Sequence, residues 1–270
     1  MTTPAREIAP AKLNLALHVR GKRPDGCHAI ETVFAFCTDG DGLSAASADT
    51  ISLEVTGPFA GGLGNREENL VVKAARALAA AAACERGAAL TLDKRLPIAS
   101  GIGGGSADAA AALRLLTSLW QIDPKHAQEV APELGSDVPA CLLSVPMRGE
   151  GAGDKLTPID LSHGSGAPVL LVNPRVQLST ADVFGRWDGE DFGPLGGWRE
   201  GRNDLETPAI ALVPQIEAVL AWLGTRPGAS FVRMSGSGAT CFALFDDEGA
   251  CDAAAYAVPR EWWHLATFLR

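Results

Sequence analysis

A glycine-rich segment is the part of the sequence best suited to bind phosphate. Between Ser100 and Ser106 there are four glycines and two serines, and an alanine- and leucine-rich stretch that favours a helix follows over residues 109–116. Unpaired backbone N–H groups and the positive end of the helix dipole meet where a helix begins, and glycine lets a phosphate come close to the backbone. The segment therefore predicts a phosphate site, with a plain glycine turn before a buried helix as the alternative.

The segment differs from two better-known phosphate loops. No Gly-Lys-Ser/Thr closes it, and Ser106 stands where the dinucleotide fingerprint has its third glycine. Because the segment holds no lysine, the phosphate charge must be offset by Mg²⁺ or by a residue elsewhere in the chain.

Two ionisable residues, one cation and one carboxylate, are candidates to act beside a bound phosphate. Lys12 lies on the polar face of an alternating strand over residues 11–19, opposite the apolar Leu13 and Leu15. Asp137 precedes Pro139. A solvent-facing lysine and a helix-capping aspartate are the alternatives.

The elements that must position these residues form two groups along the chain. The first half predicts strands and one long helix, and the second half predicts a small α+β sandwich. We place the boundary so that residues 1–152 form an N-terminal domain and residues 153–270 a C-terminal domain. The predicted strands are 11–19, 30–37, 51–56, 88–92, 169–172, 230–234 and 241–245, and the predicted helices are 70–84, 208–223 and one after Asp247.

Composition excludes several classes of protein. The 270 residues are 47% hydrophobic and 20% charged, which is typical of a folded domain rather than a disordered chain. A net charge of −9 disfavours nucleic acid and anionic membrane surfaces as partners. The longest apolar stretch is interrupted by Lys73 and Arg76, so no membrane span is predicted, and six widely spaced cysteines favour reduced thiols in the cytoplasm.

Three separated motifs resemble those of the GHMP kinases. The pattern Pro97-x-x-x-Gly101-x-Gly103-x-x-Ser106 resembles the ATP loop of that family, residues 9–15 (APAKLNL) its N-terminal motif and residues 234–240 (MSGSGAT) its C-terminal glycine motif. The resemblance implies an α+β fold of two domains, the first like ribosomal protein S5 domain 2 and the second ferredoxin-like.

Three shorter stretches are similar to one branch of the family, which phosphorylates the 2-hydroxyl of a methylerythritol carried on cytidine diphosphate, in the non-mevalonate route to isoprenoid precursors. These are residues 10–15 (PAKLNL), 23–28 (RPDGCH) and 134–139 (LGSDVP). The resemblance implies an ATP- and Mg²⁺-dependent enzyme with a small-molecule substrate, no nucleic-acid or membrane partner, and a monomeric or weakly dimeric state. Another GHMP kinase, acting on mevalonate, homoserine or a sugar, and a non-catalytic sensor with the same fold are the alternatives.

The resemblance also assigns roles to individual residues. Lys12 and Asp137 would be the catalytic pair, with Asp137 the general base. Substrate would be bound by Asn14, His28, Thr180, Phe184, Gly236 and Ser237. ATP would be bound by Asn69, Lys94, Pro97, Gly101, Gly103, Gly104, Gly105 and Ser106, with Ser106 the one candidate to touch the metal.

Each of the weaker assignments has a structural alternative. His28 could be a surface residue after a turn, Phe184 could be core packing, and Asn69 could cap a helix. Gly236 could belong to a tight turn between two strands. The family usually carries an aromatic residue immediately before the histidine, whereas this chain has Cys27, so one face of base stacking is weakened or supplied elsewhere.

Overall fold

The computed structural model describes residues 5–161 and 164–270, which form two compact units. The first unit contains the chain up to Ala11, Asp39–Ile98 and Gly103–Ser144. The second contains Lys12–Thr38, Ala99–Ile102 and Val145–Arg270. The predicted division at residues 152/153 therefore lies close to one of the crossings, but local patterning did not predict that the first two strands each run through both units. The predicted ranges also include residues 1–4 and 162–163, which lie outside the described part of the chain.

The first unit combines strands with four helices. Strand β3 (Ser52–Thr56) lies parallel to β4 (Gly87–Asp93), with helix α1 (Leu70–Ala81) between them in the chain, and β4 pairs antiparallel with the second half of β2 (His28–Ala48). Helix α1 packs against α2 (Gly104–Trp120) and α3 (Pro124–Leu134), and α2 packs against α4 (Val138–Leu143). The elements are β1 (Ala5–Lys22), β2 (His28–Ala48), β3 (Ser52–Thr56), α1 (Leu70–Ala81), β4 (Gly87–Asp93), α2 (Gly104–Trp120), α3 (Pro124–Leu134) and α4 (Val138–Leu143), with 3₁₀ turns at Ala60–Gly62 and Arg66–Glu68.

The second unit contains a four-stranded antiparallel sheet. Its strand order is β10 (Trp263–Phe268), β7 (Pro168–Asn173), β9 (Cys241–Phe245) and β8 (Ala229–Met234). Along the chain these strands and their helices alternate as β-α-β-β-α-β, which is the ferredoxin-like topology and confirms that prediction. The first half of β2 also pairs here with β5, and β5 pairs with β6. The elements are β5 (Met147–Gly151), β6 (Lys155–Pro158), β7 (Pro168–Asn173), α5 (Thr180–Gly185), α6 (Glu206–Leu212), α7 (Gln215–Gly224), β8 (Ala229–Met234), β9 (Cys241–Phe245), α8 (Glu248–Tyr256) and β10 (Trp263–Phe268).

The predicted helix over residues 208–223 is two helices. Val213 and Pro214 separate α6 from α7, and Pro214 has the N-cap position of α7. Proline lacks the N–H that would bond back to the preceding turn, so a helix ends before it and a new one can start there. Both helices place residues in the core of the second unit, among them Ala209 and Ile216.

Strand β1 is buried on both faces. Leu13 and Leu15 have no exposed surface, as predicted, but Lys12 and Asn14 on the other face are each only 3% exposed. The polar face of β1 therefore lies inside the protein, and its polar groups need partners there.

Two expectations about the chain concern membranes and cysteines. In the part of the chain that the structure describes, no helix is both long enough and apolar enough to span a bilayer. Each of the six cysteines has a free thiol, as predicted.

Candidate active site

The glycine-rich segment ends in the first turn of α2. Gly103 is the N-cap residue with φ +64°, a left-handed conformation that glycine adopts without strain. The backbone N–H of Ala107 bonds to the carbonyl of Gly103, so the preceding amides, those of Gly104, Gly105 and Ser106, belong to the open first turn. Gly105 is exposed and Ser106 is half-buried. A phosphate can therefore reach this helix end, as the sequence predicts for a phosphate site.

The earlier part of the segment packs against the glycine motif of residues 234–240. Ser235 Oγ donates a hydrogen bond to the carbonyl of Gly101 (2.9 Å), and the backbone N–H of Thr240 donates to the carbonyl of Ser100 (3.1 Å). A Cβ at Gly101 would lie 2.4 Å from the carbonyl oxygen of Ser235, so only glycine fits there. The two glycine motifs, far apart in sequence, thus hold each other in shape within the second unit.

Lys12 lies next to the same segment and inside the protein. Its backbone N–H donates to the carbonyl of Ile102 (2.9 Å), its ammonium donates to Asn14 Oδ1 (3.1 Å), and its Nζ is 4.4 Å from the centre of the Phe34 ring. Since the side chain is buried, the solvent-facing alternative does not apply. Its charge lies inside the protein, where an ammonium needs polar or charged groups around it.

Asn14 is held in place from several sides. Its Nδ2 donates to Thr32 Oγ1 (2.8 Å), and its backbone N–H donates to Ser235 Oγ (3.1 Å). A Cβ added to Gly236 would lie 3.1 Å from Asn14 Oδ1. The predicted substrate residues Asn14 and Gly236 are therefore neighbours. Local sequence patterns do not indicate that Thr32 and Ser235 hold Asn14, because these two partners lie in other parts of the chain.

Asp137 occupies the N-cap position of α4 in the first unit. Its backbone is helical (φ −87°, ψ −15°) and its side chain makes no capping hydrogen bond to that helix. The capping alternative therefore fails for this carboxylate. The residue is half-buried.

Three aromatic rings are in contact in the second unit. The imidazole of His28 stacks on Phe184 with ring centres 4.7 Å apart and an interplanar angle of 26°. The indole of Trp187 meets His28 edge-on at 5.6 Å. The pKa of His28 is lowered by burial and, secondarily, by the charge of Lys22, so the ring is neutral at pH 7. Cys27, where the resemblance leads us to expect an aromatic residue, is exposed.

Two further predicted substrate residues are paired. Thr180 and Ser237 share a hydrogen bond between their hydroxyls (2.9 Å). Thr180 is the first residue of α5, which also carries Phe184, so the aromatic cluster and the 234–240 motif are joined through one short helix.

Among the predicted ATP residues, Asn69 and Lys94 have structural partners. Asn69 Oδ1 accepts from the backbone N–H of Val71 (2.9 Å) and so caps α1. The ammonium of Lys94 is buried between Asp41 Oδ2 (2.5 Å) and Asp108 Oδ2 (2.6 Å). Its charge is therefore engaged by two carboxylates of the first unit, and its Nζ would lie 3.1 Å from a Cβ added at Gly104. The ATP role of Lys94 stays a prediction. Pro97, three residues on, is also buried.

The cluster of Asp41, Lys94 and Asp108 joins the backbone just before the glycine segment to helix α2. Asp41 Oδ1 accepts from the backbone N–H groups of Arg95 (2.5 Å) and Leu96 (2.8 Å), and Asp108 belongs to the second turn of α2. Burial raises the pKa of Asp108 to about 7, against the opposing effect of Lys94 and with a further increase from Asp41. Burial disfavours the charged form of Lys94, but the two carboxylates outweigh it and raise its pKa.

Asn203 is another residue that sequence patterns did not single out. Its Nδ2 donates to the carbonyls of Met234 and Gly236 (both 2.8 Å), and its Oδ1 accepts from the backbone N–H of Leu205 (3.0 Å). The side chain thus stabilises the turn within residues 234–240 by bonding to two of its carbonyls. Its only local signal is an asparagine that precedes a helix.

Within residues 5–161 and 164–270, no group of three or more His, Cys, Asp or Glu side chains is arranged to hold a metal ion. The hydroxyl of Ser106, in the first turn of α2, is the protein group that we predict near a divalent ion.

Comparison with known proteins agrees with this arrangement. The model for the N-terminal domain of GHMP kinases matches residues 69–144, and that for their C-terminal domain matches residues 188–264. A 4-diphosphocytidyl-2-C-methyl-D-erythritol kinase of Rhizorhabdus wittichii is 50% identical over 98% of this chain and 94% of its own length.

Solved structures show the same relationship. The crystal structure of a 4-(cytidine 5′-diphospho)-2C-methyl-D-erythritol kinase superposes with a TM-score of 0.85 and 32% identity, covering 98% of this chain and 99% of that one. A homoserine kinase from Cytophaga hutchinsonii shares the fold, with a TM-score of 0.72 and 17% identity over 100% of this chain and 96% of that one. From two matching domain models and a relative that is half identical over nearly its whole length, the chain belongs to the GHMP kinase family.

Proposed function

We propose that the protein transfers the γ-phosphoryl group of ATP to the 2-hydroxyl of 4-diphosphocytidyl-2-C-methyl-D-erythritol, a step toward isoprenoid precursors. The observation that carries this proposal is the 50% identity, over 98% of the chain, to a relative with that name. A shared fold alone would not select the substrate, because a homoserine kinase has the same fold.

ATP would be bound by main-chain groups of the glycine segment. The open first-turn amides of α2 at Gly104, Gly105 and Ser106 offer donors to phosphate oxygens, and the helix dipole favours negative charge there. Mg²⁺ would be held chiefly by the ATP phosphates and water, with the Ser106 hydroxyl as a candidate ligand, and would supply positive charge that offsets that of the phosphates.

Lys12 and Asp137 would divide the chemistry. Asp137 would accept the proton of the substrate hydroxyl as its oxygen attacks the γ-phosphorus and ADP leaves. Lys12 would stabilise the developing negative charge, which suits a buried ammonium fixed by Asn14 and lying over Phe34. No covalent intermediate with the protein is needed, and positioning and electrostatics would account for the rate.

The cytidine group would be recognised by His28 and Phe184. A neutral imidazole has one donor and one acceptor nitrogen, which matches the mixed donor and acceptor edge of cytosine. Both residues lie outside the two segments that match the family-wide models, 69–144 and 188–264.

A coupled assay of ADP release tests the proposal. We expect turnover with the cytidine diphosphate substrate, ATP and Mg²⁺, and at least a hundredfold lower kcat/KM with mevalonate or homoserine, because neither carries a base. A higher kcat/KM with mevalonate or homoserine would refute the proposed substrate and assign the protein to another branch of the family. No ADP release with any of the three alcohols, despite ATP binding, would favour a sensor.

A further inference from the structure

The indole nitrogen of Trp187 is a buried hydrogen-bond donor with no partner in the described part of the chain. Buried N–H groups in proteins are nearly always paired, and leaving one unpaired is unfavourable. An unpaired donor beside a ligand site is a common sign that the partner belongs to the ligand. The immediate neighbour of this indole is His28, one of the residues that we assign to the cytidine group.

The surrounding rings show where a base can enter. His28 and Phe184 are stacked with ring centres 4.7 Å apart, which is a direct contact with no space for a third ring between them. A base that stacks on Phe184 must therefore replace the imidazole on that face. The imidazole is half-buried and neutral, so moving it leaves no buried charge behind. Its displacement would break the perpendicular contact of the two rings and leave space beside Trp187.

From these contacts we infer that Trp187 is a specificity-determining residue, whose indole N–H donates to an acceptor atom of the pyrimidine base when that base stacks on Phe184 in place of His28. Cytosine carries two such acceptors on its ring edge, the carbonyl oxygen and the unprotonated ring nitrogen. His28, once moved, keeps a donor and an acceptor for the remaining groups of the base.

The inference also accounts for Cys27. That exposed thiol cannot provide the aromatic surface that the family resemblance implies at its position. Trp187 lies just after α5 and brings a large ring to the same cluster from the second half of the sequence. The base would thus gain its aromatic and hydrogen-bonding partners from the segment 184–187 rather than from residue 27.

The inference rests on the proposed function, since it assumes a cytidine-containing substrate. Trp187→Phe is the informative variant, because it removes the N–H and keeps an aromatic ring against His28. Trp222→Phe is the matched control: it makes the same change at an indole that packs edge-on against Trp262, at 5.9 Å. The probe is CDP, with ADP as the comparison.

The first measurement follows the indole N–H resonances of the ¹⁵N-labelled protein, in which the signal missing from Trp187→Phe identifies Trp187. Saturating CDP should move that signal downfield, as expected for a new hydrogen bond, and ADP should leave it in place. The second measurement is affinity: CDP should bind about tenfold more weakly to Trp187→Phe, as for the loss of one neutral hydrogen bond, and unchanged to Trp222→Phe.

The outcomes separate this inference from the proposed function. If CDP shifts other resonances but not that of Trp187, or if Trp187→Phe binds CDP like the wild type, the role of Trp187 is refuted and the cytidine substrate stands. If CDP shifts nothing at saturating concentration, the proposed substrate is refuted and Trp187 loses its role with it. A structural role alone would lower the melting temperature of Trp187→Phe without the selective loss of CDP affinity.

Discussion

Replacing Asp108 by asparagine should stabilise the protein, and more at high pH than at low pH. Asp108 and Asp41 share the single ammonium of Lys94 in a buried site, so the cluster carries one excess negative charge when both carboxyls are ionised. Asp108 Oδ1 is buried and, among the described residues, has no hydrogen-bond partner. The asparagine amide has nearly the shape of a protonated aspartate and leaves one carboxylate for one ammonium.

The pKa of Asp108 sets the direction and the size of the stability change that we expect from Asp108→Asn at each pH. It is raised from 3.8 to about 7 in the folded protein, first by burial and then by Asp41, with Lys94 opposing. The folded state therefore binds this proton more tightly than the unfolded state, and stability falls as the pH rises from about 4 to about 7. Asparagine has no proton to lose, so its advantage should grow by about 2 to 3 kcal/mol between pH 5 and pH 8.

Urea unfolding at several pH values between about 5 and 8 measures this advantage, with the slope against urea checked for constancy at each pH. Glu133→Gln, a charge removal at an exposed position of α3 in the same unit, is the control and should run parallel to the wild type. Lys94→Met should be strongly destabilising at neutral pH, because it leaves two buried carboxyls without a cation. An Asp108→Asn advantage that does not change with pH would refute the reasoning.

Three further changes test other parts of the site. Asp137→Asn should lower kcat by roughly 10²- to 10⁴-fold with KM for ATP unchanged, and wild-type turnover would exclude Asp137 as the base. Asn203→Ala should cost about 2 to 4 kcal/mol in urea unfolding, because two buried carbonyls lose their donor, against less than about 1 for the exposed Asn65→Ala. Affinity for CDP should be constant from about pH 8 down to the lowered pKa of His28 and weaken below it, and His28→Gln, which cannot gain a proton, should remove this decline.

Local sequence patterns were sufficient for elements whose signals are contained within a few residues. The glycine segment before α2 is one case, since glycine content and helix propensity act on neighbouring residues. Strands β7, β8 and β9 and helix α8 of the second half are another, because they have their own alternation or cap, such as the Asp247 side chain that accepts from the backbone N–H of Ala250. The ferredoxin-like order follows once those elements are recognised.

Other features depend on contacts that no local window contains. The alternation of β1 correctly predicts an apolar face, but it cannot show that Ser235, 221 residues away, covers the other side at Asn14. Strand β10 has no apolar alternation in its sequence (WHLATF), so only pairing with β7 makes it a strand. The ion cluster of Lys94 is similar, because its carboxylates come from β2 and α2, 53 and 14 residues away.

The site residues therefore fall into two physical kinds, and the difference explains how one fold serves several substrates. In the proposed site, phosphate would be held by backbone amides, which any sequence with glycines in the right places can provide, so this function should tolerate wide divergence. A base can be told from other groups only by side chains with matching donors, acceptors and ring faces. In this chain we assign that role to the side chains of His28, Phe184 and Trp187, which contact one another. Substitutions there should change which alcohol is phosphorylated before they change whether ATP is bound.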